Sequence, residues 1–125
     1  MTVVIHRPGE IGDDWDQVLA ELTRAFEVTR AAAQAGDPVV YVVHGDDLLG
    51  RRGPGRAMVA TGLLSAARTA ALEGTKEAWT VNVIAVADGV ESTLIEEWAG
   101  YLEQSPDITG ELLRVGPGHL GKALP

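Results

Sequence analysis

Three residues that could take part in chemistry lie directly after a continuous apolar run. His44, Asp46 and Asp47 would stand at the carboxyl end of a predicted strand, where open α/β sheets bind their ligands. An imidazole and two carboxylates could form an acid–base or metal cluster there. A metal ion normally needs three or four converging ligands, and the sequence offers no second group of ligands to complete such a set. We therefore predict no metal site, and expect a polar loop whose aspartates are solvated or pair with Arg51 and Arg52.

A second candidate follows within a few residues. Arg51, Arg52 and Arg56 are interspersed with glycines just before a predicted helix. The free N–H groups and the dipole at a helix N-terminus favour an anion, so these arginines could bind the phosphate of a nucleotide or of phosphopantetheine. The alternative is a flexible basic loop that compensates the charges of Asp46 and Asp47.

Alternating strands and helices would position both candidates. Apolar, β-branched runs predict four strands, at 2–6, 38–45, 79–87 and 110–116. Helical spacing, acidic residues at the start and glycine stops predict three helices, at 12–36, 55–75 and 91–104. The order β-α-β-α-β-α-β indicates one α/β domain over residues 1–125, a three-layer α/β/α sandwich with a small, mostly parallel sheet.

The first predicted strand, 2–6, is expected to lie at an edge of this sheet. An apolar edge strand is a template for pairing with another chain unless something covers it. We therefore expect self-association or a partner chain.

Charge and composition exclude several classes of partner. The net charge of −8 argues against binding to nucleic acid or to an anionic membrane surface. No apolar run reaches the roughly 18 residues of a membrane span. The absence of cysteine suits a reducing compartment, and we expect a cytoplasmic protein.

Four stretches of the sequence form a recognisable set: DWDQVLAELTRAFEVTRAA at 14–32, GLLSAARTAALE at 62–73, WTVNVIAVADG at 79–89 and ITGELLRVGPG at 108–118. Together they resemble the C-terminal half of the short-chain dehydrogenases/reductases, especially members similar to 3-oxoacyl-acyl-carrier-protein reductases. The resemblance covers nearly the whole chain and implies a Rossmann-like half-domain. The family's glycine-rich turn, which seats the dinucleotide pyrophosphate, has no counterpart in this sequence. We therefore expect no NAD(P) cofactor to bind in the family's manner.

The resemblance also shows which residues occupy the family's catalytic positions. The family uses an asparagine, a serine, a tyrosine and a lysine. Here those positions fall, in that order, on Glu21, on Val43 or His44, on Arg56 or Val59, and on Ala60 or Leu63. None of these residues can supply the family's chemistry, so we predict that the chain has no catalytic residues of this type.

These features predict a degenerate, non-catalytic reductase-like protein, or pseudoenzyme. In the family, the helices that match 14–34 and 56–75 form an intersubunit bundle, and the last strand with its preceding helix forms a second interface. We expect a homo-oligomer or a complex with a full-length reductase. Two alternatives stay open: a diverged or split oxidoreductase for an acyl or carbonyl substrate, with its cofactor half supplied in trans, and a module that binds a small anion through the arginine loop.

Overall fold

Four short strands form one parallel sheet in the computed structural model, which describes residues 2–118. In chain order they are β1 (Val4–His6), β2 (Val39–His44), β3 (Val81–Val86) and β4 (Leu112–Val115). The order across the sheet is the same as the order along the chain, so β1 and β4 are its two edges. The predicted edge position of the first strand is confirmed, and every pairing between the described strands is parallel.

Four α-helices connect these strands: α1 (Trp15–Ala35), α2 (Gly45–Leu48), α3 (Pro54–Glu73) and α4 (Ser92–Glu103). Local chemistry defines the ends of α1. The Asp14 carboxylate accepts a hydrogen bond from the backbone N–H of Asp16, and Gly36 ends the helix with a left-handed φ of 76°. Among the described residues, no helix is both long enough and apolar enough to span a bilayer.

The sheet lies between two helical layers, each with its own apolar core. Alternate residues of a strand face opposite sides, so Tyr41 packs with α1 and α3, whereas Val42 packs with α4. Both faces of β2 are therefore covered, which explains its uninterrupted apolar sequence. The predicted three-layer α/β/α architecture is confirmed.

The structure corrects three details of the predicted elements. Strand β1 has three residues rather than five, and the segment expected to be a polar loop after β2 contains the single-turn helix α2. Helix α3 ends at Glu73, and a 3-10 turn covers Thr75–Glu77. A Cβ at position 74 would meet the ring and the carbonyl oxygen of Trp79 at under 3 Å, so only glycine fits where the chain leaves the helix.

The N-terminus of α3 lies against the loop that precedes α1. The backbone N–H of Gly55 donates to the Asp13 carboxylate at 2.9 Å. A Cβ at Gly55 would lie only 2.1 Å from the carbonyl oxygen of Gly12. This close approach fixes the position of α3 relative to the loop after β1, and both segments line the cavity described next.

Candidate functional site

A cavity of about 340 Å³ opens at the carboxyl ends of β1, β2 and β3. Its walls come from the loop after β1, the end of β2, the start of α3, and the segment between β3 and α4. This is the edge of a parallel sheet at which ligands usually bind. A volume in this range is typical of a small-molecule site.

Hydrogen bonds at both nitrogens of its imidazole ring position His44. Its Nδ1 accepts a hydrogen bond from the backbone N–H of Asp46, which makes His44 the N-cap of α2. Its Nε2 lies 2.7 Å from the Asp88 carboxylate. Because Nδ1 acts as an acceptor, the ring proton is on Nε2 and is donated to Asp88.

The carboxylates of Asp46 and Asp88 lie close enough to His44 for the three groups to surround one cation, since their ligand atoms are all within 4.8 Å of one another. Both ring nitrogens, however, already make hydrogen bonds. An ion on Nε2 would displace the proton that Asp88 accepts, and an ion on Nδ1 would displace the cap of α2. The donor set therefore fits a hydrogen-bonded cluster better than a metal centre.

The predicted cluster of His44, Asp46 and Asp47 is only partly brought together. Asp47 turns away from the imidazole, and both its carboxylate oxygens accept hydrogen bonds from Arg52, at 2.8 and 2.7 Å. These bonds raise the pKa of Arg52, because they stabilise its charged form. Arg51 pairs with Asp46 at 3.3 Å on the surface. The two predicted arginine–aspartate pairings are thus present.

The third arginine of the predicted anion site also has a carboxylate partner. Arg56 pairs with Glu10 at 2.8 Å, and its Nε donates to the carbonyl oxygen of Ile11. Any anion bound by Arg51, Arg52 and Arg56 would therefore compete with three carboxylates. The anion site stays a prediction from the sequence.

Most of the residues that the sequence resemblance aligns with the family's catalytic positions lie at this cavity. The residues that line it from these positions are Val43, His44, Arg56, Val59 and Ala60. Leu63 is buried in the core between the sheet and the helices α1 and α3. These six residues include neither the phenol nor the lysine ammonium of the family's mechanism.

Glu21, at the family's asparagine position, belongs to a buried polar cluster beneath the loop after β1. Its carboxylate pairs with Arg24 at 2.6 Å and lies 3.6 Å from Nε2 of His6. The sequence revealed no partner for His6, but the structure places it beside this carboxylate. Burial and the charge of Arg24 lower the pKa of His6, and Glu21 opposes them. His119, which also had no partner in the sequence, lies outside the described residues.

Three charged residues at the cavity were not singled out from the sequence: Arg7, Glu10 and Asp88. Each of them follows a strand directly or lies in the loop after it. They could have been found from the rule that the carboxyl ends of parallel strands meet at one edge of the sheet. The contact between His44 and Asp88 was not predicted, because 44 positions separate the two residues in the sequence.

Comparison with known proteins supports the fold. No family model and no curated protein matches the sequence. Among solved structures, the chain is similar to an acetoin dehydrogenase from Salmonella typhimurium, with a TM-score of 0.75, 17% identity and 91% of this chain covered. It is also similar to an enoyl-[acyl-carrier-protein] reductase (NADH) from Aquifex aeolicus, with a TM-score of 0.78, 14% identity and 95% covered.

A third similar structure is an oxidoreductase of the short chain dehydrogenase/reductase family from Burkholderia thailandensis, with a TM-score of 0.68, 16% identity and 90% of this chain covered. The chain spans about 62% of the length of each of these three proteins. It therefore shares part of the short-chain dehydrogenase/reductase fold, as the sequence resemblance implied.

Proposed function

We propose that this protein is a non-catalytic, reductase-like assembly or accessory subunit. It would act in the cytoplasm, as a homo-oligomer or joined to a full-length reductase. The observation that carries the proposal is the exposure of large apolar side chains on the elements that match the family's two interfaces. Contiguous exposed apolar surface of this kind is typical of protein–protein contacts.

The first of these surfaces is the groove between α1 and α3. Its cavity of about 420 Å³ has a predominantly apolar lining that includes Leu22, Phe26 and Ala66. Phe26, which lines this groove, is 67% exposed. Burying such side chains against another chain removes apolar area from water, which is the main driving force of association.

The second surface lies on α4 and the loop before β4. Trp98 and Tyr101 form an edge-to-face pair with ring centroids 5.2 Å apart, and both rings are partly exposed beside Ile108. Strand β4 is the adjacent sheet edge. Aromatic pairs of this type are enriched in the centres of interfaces.

Light scattering coupled to size-exclusion chromatography tests the proposal for the purified chain. We expect a mass of at least twice the 13.2 kDa monomer or, when a full-length reductase of the host is added, a complex whose mass is the sum of the two proteins. Phe26→Glu should abolish an assembly made through the groove, since it would bury a charge. Ala31→Glu adds the same charge to the same helix at an exposed residue that does not line the groove, and should leave the mass unchanged.

A specific observation favours a second candidate, a split oxidoreductase. Strand β1 is an open edge of the sheet, so a cofactor-binding half supplied in trans could extend the sheet there. This candidate requires oxidation of NADH or NADPH when that half and a carbonyl substrate are added. Absence of both nucleotide binding and turnover in the reconstituted complex would exclude it.

A further inference from the structure

The cavity at the carboxyl edge of the sheet has a balanced set of charges. Among residues 2–118, three arginines and three carboxylates line it. Four of the six form two ion pairs, Arg52 with Asp47 at 2.7 Å and Arg56 with Glu10 at 2.8 Å. Within each pair the positive and negative charges largely cancel. The two other charged residues, Arg7 and Asp88, therefore determine which charged ligand the cavity binds.

Arg7 supplies the positive charge. Its guanidinium donates one hydrogen bond, to the hydroxyl of Ser92 at 3.3 Å, and within residues 2–118 no carboxylate lies within ion-pair distance of it. A guanidinium has five N–H donors arranged as a fork that matches a carboxylate. Most of these donors are free to bind a ligand.

Asp88 supplies the negative charge. Its only hydrogen-bond donor in the described part of the chain is Nε2 of His44, which keeps its ring proton because Nδ1 is an acceptor. No arginine or lysine among residues 2–118 forms an ion pair with Asp88. The carboxylate therefore has lone pairs and a charge that a cationic group could satisfy.

Part of the cavity wall is apolar. It includes Val43, Val59, Ala60, Ala87 and Val90, contributed by β2, by α3 and by the segment after β3. An aliphatic side chain could pack on this wall and leave water. Within residues 2–118, the cavity of about 340 Å³ thus combines an arginine without a carboxylate partner, an aspartate without an arginine or lysine partner at ion-pair distance, and an aliphatic surface.

We propose that this cavity binds a small zwitterion with an aliphatic side chain, such as a free aliphatic amino acid. The ligand carboxylate pairs with Arg7, the ammonium pairs with Asp88, and the side chain packs on the apolar wall. A simple anion would leave Asp88 without a partner, and a simple cation would leave Arg7 without one. The proposal involves no covalent step and does not depend on the assembly function.

Isothermal titration with L-leucine, isoamylamine and isocaproate tests this site, because the last two compounds each keep the branched chain and one of the two charges. We expect L-leucine to bind about two- to fivefold more tightly than either analogue, the factor that a pair between exposed charges contributes, since the Asp88 side chain is 89% exposed. Arg7→Gln and Asp88→Asn should each weaken L-leucine binding by a similar factor.

Two matched controls separate this effect from general changes in charge. Arg68→Gln and Asp107→Asn make the same substitutions at residues that do not line the cavity, and should leave the affinity for L-leucine unchanged. Circular dichroism of all four variants verifies the fold. Equal binding of the three compounds, binding of one analogue only, or no binding of L-leucine to the folded protein would overturn the proposal.

Discussion

Arg51 and Arg52 are neighbours of the same type, yet their ion pairs differ in environment. The Arg52–Asp47 pair has two hydrogen bonds, and the Asp47 carboxylate is largely buried. The Arg51–Asp46 pair has one longer hydrogen bond at the surface. Removing one partner of a pair is costly when the other is left buried and unpaired, and it costs little when water can replace the lost partner.

Replacement of each arginine by alanine should reveal this difference. We expect Arg52→Ala to lower the free energy of unfolding by about 1–2 kcal/mol, because Asp47 loses both donors while still shielded from water. Arg51→Ala should lower it by less than about 0.5 kcal/mol. Urea unfolding of both variants measures the difference, and equal effects would contradict the structural role of the Arg52 pair.

The lowered pKa of His6 leads us to expect that the stability of the protein depends on pH. Its pKa in the folded protein is lowered by burial and by Arg24, so the unfolded chain binds a proton on this residue more readily than the folded chain does. The protein should therefore lose stability as the pH falls below about 6.5, the ordinary value for histidine. The slope attributable to this one group is at most about 1.4 kcal/mol per pH unit.

His6→Phe removes this proton-binding site and retains an aromatic ring beside Tyr41, which His6 contacts edge-on. Denaturant unfolding of the wild type and the variant at a series of pH values from 7 to about 5 should give a flatter profile for the variant. Parallel profiles for the two proteins would show that His6 does not carry this dependence.

At the scale of elements, Gly55 determines how closely α3 can approach the loop before α1. The carbonyl oxygen of Gly12 occupies the space that any Cβ at Gly55 would need. Gly100, within α4, has no neighbouring atom within 4 Å of the equivalent position. The same substitution should therefore have opposite effects in the two helices.

We expect Gly55→Ala to destabilise the protein by about 1–3 kcal/mol, since α3 or the loop must move. Gly100→Ala should stabilise it by up to about 1 kcal/mol, because alanine has the higher helix propensity. Thermal unfolding of the two variants provides the comparison. If Gly55→Ala left the stability unchanged, the loop before α1 would have to move away at little cost, and the expected role of Gly55 would be wrong.

The order of the elements could be predicted because their signals are local. The uninterrupted apolar sequence of β2 and the glycine at the end of α1 depend only on neighbouring residues. Helix α2 was missed because it has four residues, and its N-cap is a histidine rather than a usual capping residue. The pairing of His44 with Asp88 was missed because only the sheet brings β2 and β3 side by side.

At the scale of the whole molecule, polar and apolar surfaces are segregated. The cavity at the carboxyl edge concentrates charged side chains, whereas the groove of α1 and α3 and the surface of α4 carry exposed aromatic and aliphatic groups. With a net charge of −8, the isolated chain repels its own copies at long range, so association would depend on these apolar surfaces. Added salt should therefore strengthen self-association by screening that repulsion.

Native mass spectrometry of the tagged protein isolated from its own host tests the assembly role most directly. We expect a homo-oligomer, or a complex that contains a full-length reductase, and we expect Phe26→Glu to disrupt an assembly made through the groove. A monomer without any second chain, at concentrations where the protein is folded, would contradict the account.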